Sequence, residues 1–293
     1  MDVSHSNEQG VSPCLRLLEK TNYHSSGDSH TFHSFTYFAV YRLQVFVGHE
    51  SAVTAGSFSP DGKLAVSASA DGTLRLWAPK TGMSKAVLRL GEGASLTCMG
   101  INGGSDGQSV IVGGEDGQAH VCHIGTKKVV ASLRHYEAPP NTREDDQLEL
   151  PMSVEAVGFA AHSVNPNWCA TGGVDGVLKI WDLSNGQCRQ VCRPAASEDG
   201  QDNSNGGITR LQWHPSLPLV FTSACNGTIQ LWDARSGRLL HTLTGNVDQI
   251  NAMDIQFADD GRTAIIATAS DDKTVRIFEL DVATLMQTSA SVM

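Results

Sequence analysis

Five segments of the chain repeat one pattern of turn and strand. SASADGTLRLW (67–77), TGGVDGVLKIW (171–181), TSACNGTIQLW (222–232) and TASDDKTVRIF (268–278) each carry a hydroxyl residue, then Asp or Asn four positions later, then an aromatic six positions after that. A fifth copy, VGGEDGQAHVC (112–122), keeps the Asp-Gly turn and lacks the hydroxyl and the aromatic. The turn residues fall at 71, 116, 175, 226 and 272, giving intervals of 45, 59, 51 and 46. Self-similarity at such a period means stacked supersecondary units, none of which can bury its apolar face alone.

The units are built of strands. LRLW, LKIW and IQLW alternate with period two, and the Asp-Gly or Asn-Gly pair before them suits a tight hairpin. Another strand signal lies upstream, as in VTAGSF (53–58) and VEAVGF (154–159), and a turn and fourth strand follow each aromatic, as in SGRLLHTL. The 29 glycines and the scarcity of long apolar runs fit short strands joined by turns, hence an all-β chain.

Charge and cysteine usage narrow the function. A net charge of −10 opposes sequence-independent attraction to nucleic acid or an anionic membrane surface and favours a basic partner. Seven cysteines, an odd number scattered through strand-like sequence, read as buried thiols of a reducing compartment. The start, MDVSHSNEQG, lacks a basic and an apolar region of secretory type, and FTYFAVYRLQVFV from Phe35 is too short to span a membrane and carries Arg42. The expected location is cytoplasmic, with the nucleus as an alternative.

The residues Gly48-His49, Ser67, Asp71 and Trp77, with the closing pairs Trp181-Asp182 and Trp232-Asp233, resemble the WD-repeat family. That resemblance implies a β-propeller of four-stranded blades. It also implies that His, Ser or Thr, the turn Asp and Trp form a buried hydrogen-bonded chain. Its members would be His49, Ser67, Asp71 and Trp77, then Thr171, Asp175 and Trp181, Thr222, Asn226 and Trp232, and Thr268 and Asp272. Only the first copy shows all four; Asn246 stands in a His place, Phe278 and Cys122 in Trp places. Within the family, the degenerate second blade, the acidic insertion before the third and the phrase LWDARSGRLL (231–240) resemble one branch. That branch joins an animal cell-migration protein to a fungal chaperone dedicated to one newly made large-subunit ribosomal protein.

Residues 1–34 carry no repeat and read as a disordered segment, 35–285 as the propeller and 286–293 as a tail. FTYFAVYRLQVF reads as the last two strands of a partial sixth blade, so the expectation is a seven- or eight-bladed ring truncated at its N-terminus, with a five- or six-bladed closure as the alternative.

Most chemical candidates have a structural reading that outweighs the functional one. His49, Ser67 and Asp71 could be taken for a hydrolase triad, yet their spacing is that of the blade's own hydrogen-bond chain and no G-x-S-x-G elbow is present. His120 and Cys122 share one strand face with His123 on the other, and Cys188 and Cys192 share a face without a partner pair, so no metal site is expected. Asn226-Gly227-Thr228 matches a glycosylation acceptor and is the blade's own turn. No cofactor, small-molecule substrate or enzymatic activity is expected.

The loops remain. The insertion 137–151, EAPPNTREDDQLELP, and the segment 197–205, SEDGQDNSN, lead into first strands and so are expected at the hairpin end of the ring. With Glu115 and Asp271, which precede turn residues, they assemble Glu137, Glu144, Asp145, Asp146, Glu149, Glu198, Asp199 and Asp202 against few cations, chiefly Arg143 and Lys273. Such loops are often merely solvated. The sharper expectation is a non-catalytic scaffold or chaperone that captures a basic protein segment on this acidic end, the ribosomal client being what the branch implies. The alternatives are a signalling scaffold in cell migration or angiogenesis, and a ubiquitin-ligase substrate adaptor or phosphopeptide reader, which would need Arg and Lys at the same end.

Overall fold

The repeat folds as five antiparallel sheets in a computed structural model that describes residues 44–102, 108–136, 153–193, 206–259 and 261–285, with the strands Cys14–Arg16 and Phe38–Val40. Blade 1 comprises Val53–Phe58, Ala65–Ser69, Thr73–Trp77 and Ser84–Arg89; blade 2, Leu96–Ile101, Ser109–Gly114, Gln118–His123 and Lys128–Arg134. Blade 3 comprises Val154–Phe159, Trp168–Gly173, Leu178–Asp182 and Gln187–Cys192; blade 4, Ile208–Trp213, Leu219–Ala224, Ile229–Asp233 and Leu239–Leu243. Among the described residues blade 5 has three strands, Ile250–Phe257, Thr263–Ser270 and Val275–Asp281. Strands follow chain order within every sheet, and the first strands of successive blades adjoin, which makes them the inner strands of an arc. Among the described residues no helix is long and apolar enough to cross a membrane.

One turn joins second to third strand in all five blades. Its closing N–H, on Gly72, Gly117, Gly176, Gly227 or Lys273, donates three residues back at 3.1–3.3 Å, and the turn carboxylate or amide accepts the N–H two residues on, as Asp71 does from Thr73 at 2.9 Å and Asn226 from Thr228 at 3.2 Å. The closing residue takes a left-handed φ of +69° to +77°, which glycine adopts freely; Lys273 adopts it at φ 69°. The residue before the turn Asp donates to the approach of the inner strand at 2.9–3.0 Å in every blade: Ala70 to Ala52, Glu115 to Ser95, Val174 to Ser153, Cys225 to Gly207 and Asp271 to Gln249. This bond pins each hairpin beside the start of an inner strand.

Every inner strand bulges after its first residue, and every outer strand bulges opposite the end of the third. A bulge moves one side chain to the other face. Cys188 and Cys192, expected on one face, are separated in this way by the bulge at Arg189: Cys192 is buried and Cys188 exposed.

The core lies between blades. Leu219, Phe221, Ile229 and Leu231 of blade 4 bury against Ile250, Ile255, Ala264 and Ile266 of blade 5, and the equivalent aliphatic positions recur at the other three junctions. Val53, at the start of the first inner strand, is 56 % exposed, whereas its equivalents Leu96, Val154, Ile208 and Ile250 are buried at 0–1 %. The arc is therefore uncovered at blade 1, and blade 5 likewise exposes Val275 and Ile277. Of FTYFAVYRLQVF, expected to form the last two strands of a partial sixth blade, Phe38–Val40 pairs with Cys14–Arg16, and residues 44–46, which are assigned to no strand, lie against blade 1 with Phe46 stacked on Trp77. The tail 286–293 lies outside the described residues.

Candidate protein-interaction face

The hydrogen-bonded chain expected in each blade is complete twice. In blade 1, His49 Nδ1 lies 2.9 Å from Asp71 Oδ2, His49 Nε2 2.7 Å from Ser67 Oγ, and the Trp77 indole N–H donates to Ser67 Oγ at 2.8 Å. In blade 3 the His is His135, which sequence reasoning missed. It contacts Thr171 Oγ1 at 2.6 Å and Asp175 Oδ1 at 3.4 Å, while Trp181 donates to Thr171 at 2.8 Å. The insertion 137–151 separates His135 from its inner strand, so the spacing that marks His49 before Val53 is lost. The expectation that only the first copy holds all four members is thereby corrected.

The other blades keep parts of the chain. Trp232 donates to Thr222 at 3.0 Å in blade 4. Asn246 in blade 5 accepts from Thr268 at 3.0 Å and reaches Asp272 at 3.4 Å, filling the His role with an amide. In blade 2 Val112 and Cys122 replace hydroxyl and Trp as buried apolar residues, and His120 is fixed by Ser132 at 3.0 Å. The Ser67–His49–Asp71 geometry looks like a hydrolase triad. Its recurrence as Thr171–His135–Asp175, with an indole N–H occupying the hydroxyl in each case, assigns it to blade cohesion.

Hydrogen bonding sets the charge state of these aspartates. Burial raises the Asp71 carboxyl pKa, but donors from Thr73, the Glu50 N–H and His49 outweigh it and hold the group well below the usual carboxylate range. Asp175 is lowered against burial by His135, and Asp272 falls to about 2, chiefly through Thr274. These turn carboxylates stay ionised and committed to the fold.

The face available to a partner is the end of the arc that carries the hairpins. There the inner-strand bulges turn Thr54, Thr97, Glu155, Thr209 and Asn251 out of regular alternation. Thr97 donates to the Val154 carbonyl of the next blade and Thr209 to that of Ile250 at 2.6 Å, which locks adjacent inner strands. Glu155, Arg210, Gln249 and Asn251, with Val174 and Cys225 from the hairpins, line a cleft of about 410 Å³ between blades 3, 4 and 5 at this end.

Glu115 and Asp271 are exposed at this end, and Asp271 accepts from Asn251. Glu50, Glu92 and Asp248, all exposed, and Glu155 add carboxylates that sequence reasoning left out. It also left out cations. Arg210 is exposed at the cleft, and Arg89, Arg134 and Arg193, at or just past the ends of three outer strands, form an outer rim at the same end. Glu137, Glu144, Asp145, Asp146, Glu149, Glu198, Asp199 and Asp202 lie outside the described residues. Their flanks are described: His135 contacts the Asp175 hairpin, the Ser153 carbonyl accepts from Val174, and Gly207 accepts from Cys225.

The family model for the WD domain, G-beta repeat, matches residues 41–78, 153–182, 195–233 and 237–279, omitting the blade that lacks hydroxyl and Trp. The angio-associated migratory cell protein of Canis lupus familiaris is 35 % identical over 239 residues, 80 % of this chain and 50 % of that protein. Its human counterpart is 34 % identical over the same length. An uncharacterised WD repeat-containing protein of Schizosaccharomyces pombe is 28 % identical over 249 residues, 82 % of this chain and 55 % of the relative. The chain spans about half the length of the curated relatives it matches. With its turns, tetrads and blade order matched in this way, the chain belongs to the WD-repeat family.

Proposed function

We propose that this WD-repeat scaffold is a non-catalytic chaperone or assembly factor of the cytoplasm or nucleus that captures a basic segment of a large-subunit ribosomal protein on the hairpin end of its arc. One observation carries the reading: the flanks of both acidic loops, at His135 and Ser153 and at Gly207, stand on that end beside Glu115, Glu155 and Asp271. Loop carboxylates of this density attract a polycationic segment, and the cleft around Glu155, Gln249 and Asn251 offers polar partners once it arrives. Shielding such a segment keeps it from premature contact with RNA phosphates. The ribosomal client rests on the branch resemblance.

Affinity capture from cell extract at low and high salt tests the proposal. Basic ribosomal proteins are expected to enrich at low salt, and neutralising Glu144, Asp145, Asp146 and Glu149 to their amides is expected to abolish the enrichment. An unchanged catch from that variant would refute it.

A second reading is a signalling scaffold in cell migration, as the name of the mammalian relatives suggests. The arginine rim of Arg89, Arg134 and Arg193 favours it, because a mixed-charge face can hold a partner whose recognition does not depend on the acidic loops. Partners retained by the amide variant would support this alternative.

A further inference from the structure

The two ends of the arc are halves of one blade junction. At each internal junction three apolar positions of one blade bury against the next: Val66, Leu74 and Leu76; Ile111, Ala119 and Val121; Ala170, Leu178 and Ile180; Phe221, Ile229 and Leu231, all at 0–3 % exposure. The same positions in blade 5 are Ala267, Val275 and Ile277, and here Val275 is 72 % and Ile277 65 % exposed, with Ile265 beside them at 48 %. Blade 1 offers the opposite half. Val53 and Phe58 are 56 % and 62 % exposed, whereas their equivalents Ile250 and Ile255 lie buried against blade 4.

The strand count is complementary as well. Blade 5 ends at Val275–Asp281, and its sheet has no fourth strand among the described residues. Residues 44–47 lie over blade 1, with Phe46 stacked on Trp77 at 5.4 Å and Gln44 set against Gly82. Gln190, in the outer strand of blade 3, sits against Gly237 of blade 4 in the same way. Residues 44–47 thus occupy the place that the outer strand of a preceding blade takes at the internal junctions.

We propose that this chain associates head to tail with a second copy of itself, blade 5 of one copy packing on blade 1 of the other, and residues 44–47 of the second copy supplying the missing outer strand of the first. The occupant follows from the repeat. The face left open on blade 5 has the pattern that, four times within the chain, receives a leading face of the kind blade 1 leaves open. Within one copy the two faces do not meet, since both are exposed. The contact is heterologous, so one surface acts on each side and neither pairs with itself.

Light scattering on the full 293-residue chain during size exclusion, with Phe58→Glu and Ile277→Glu, tests it. The unaltered chain is expected to exceed monomer mass increasingly with concentration, and each variant to stay monomeric, because every junction then lacks one face. An equimolar mixture of the two variants retains one intact face of each kind and is expected to give a species of twice the monomer mass. Both residues are exposed within a copy, and Val275→Lys provides a second blade 5 variant should Ile277→Glu misfold. A monomer at every concentration, which includes closure within one copy, overturns the proposal; so does a mixture of folded variants that stays monomeric.

Discussion

His135 Nδ1 lies 2.6 Å from Thr171 Oγ1, 36 residues away, so blade 3 is tied to the outer strand of blade 2 from the near side of the acidic insertion. Both partners are buried, as is the Trp181 indole that shares the hydroxyl. His135→Ala is expected to leave Thr171 and Asp175 without their partner and to destabilise the protein by about 2–3 kcal/mol. Urea unfolding measures this; a loss no larger than that of an exposed-residue substitution would show that the contact is incidental.

Acid should unfold the protein through its turn aspartates. Asp71, Asp175 and Asp272 have folded-state pKa values below the unfolded value of 3.8, Asp272 at about 2. A depressed carboxyl binds fewer protons in the fold than in the unfolded chain, so its stabilisation is present above pH 3.8 and is lost as pH falls towards 2 and below. Urea midpoints should drop between pH 5 and pH 3. Asp71→Asn keeps the cap on Thr73, as Asn226 does on Thr228, and should flatten that dependence.

Lys273 occupies the turn position that glycine fills in the other four blades, at φ 69°. Left-handed backbone costs a side-chain-bearing residue about 1–2 kcal/mol, part of which glycine returns as unfolded-state entropy. Lys273→Gly is expected to stabilise the protein by roughly 0.5–1 kcal/mol. Thermal unfolding that moves downward instead would mean that the Lys273 side chain makes a stabilising contact.

Thiol labelling reads the blade core directly. Burial pushes Cys98, Cys122 and Cys192 up to about 12 and raises Cys169 further, whereas Cys188 and Cys225 are exposed. In a Cys14→Ser background, a thiolate-specific reagent should modify Cys188 and Cys225 in the native state and the buried Cys122, Cys169 and Cys192 only on unfolding. Rapid native modification of Cys169 or Cys192 would contradict the packing between blades 2, 3 and 4.

Much of the fold was legible because the hairpin is a local device: Asp or Asn caps the strand two residues on, glycine takes the left-handed position, and both recur at fixed offsets. Ser67, Thr171 and Thr222 with their tryptophans followed from the same ten-residue spacing. His135 was not legible, since the insertion falls between it and Val154 and destroys the offset that marks His49. The arginine rim escaped notice because the register of each outer strand depends on a bulge, which no local motif announces. Glu155 and Arg210 carry no motif of their own, and the bulges at Glu155 and Thr209 bring both to the cleft.

Binding of a short Lys- and Arg-rich peptide to the protein, followed by fluorescence anisotropy over a range of salt, tests the acidic-face reading most directly. The account predicts an affinity that falls steadily with salt and weakens about tenfold or more when Glu115, Glu144, Asp145, Asp146, Glu149 and Asp271 are neutralised together, while Asp259→Asn at the opposite end leaves it unchanged. Affinity indifferent to those six substitutions, or weakened equally by Asp259→Asn, would contradict it.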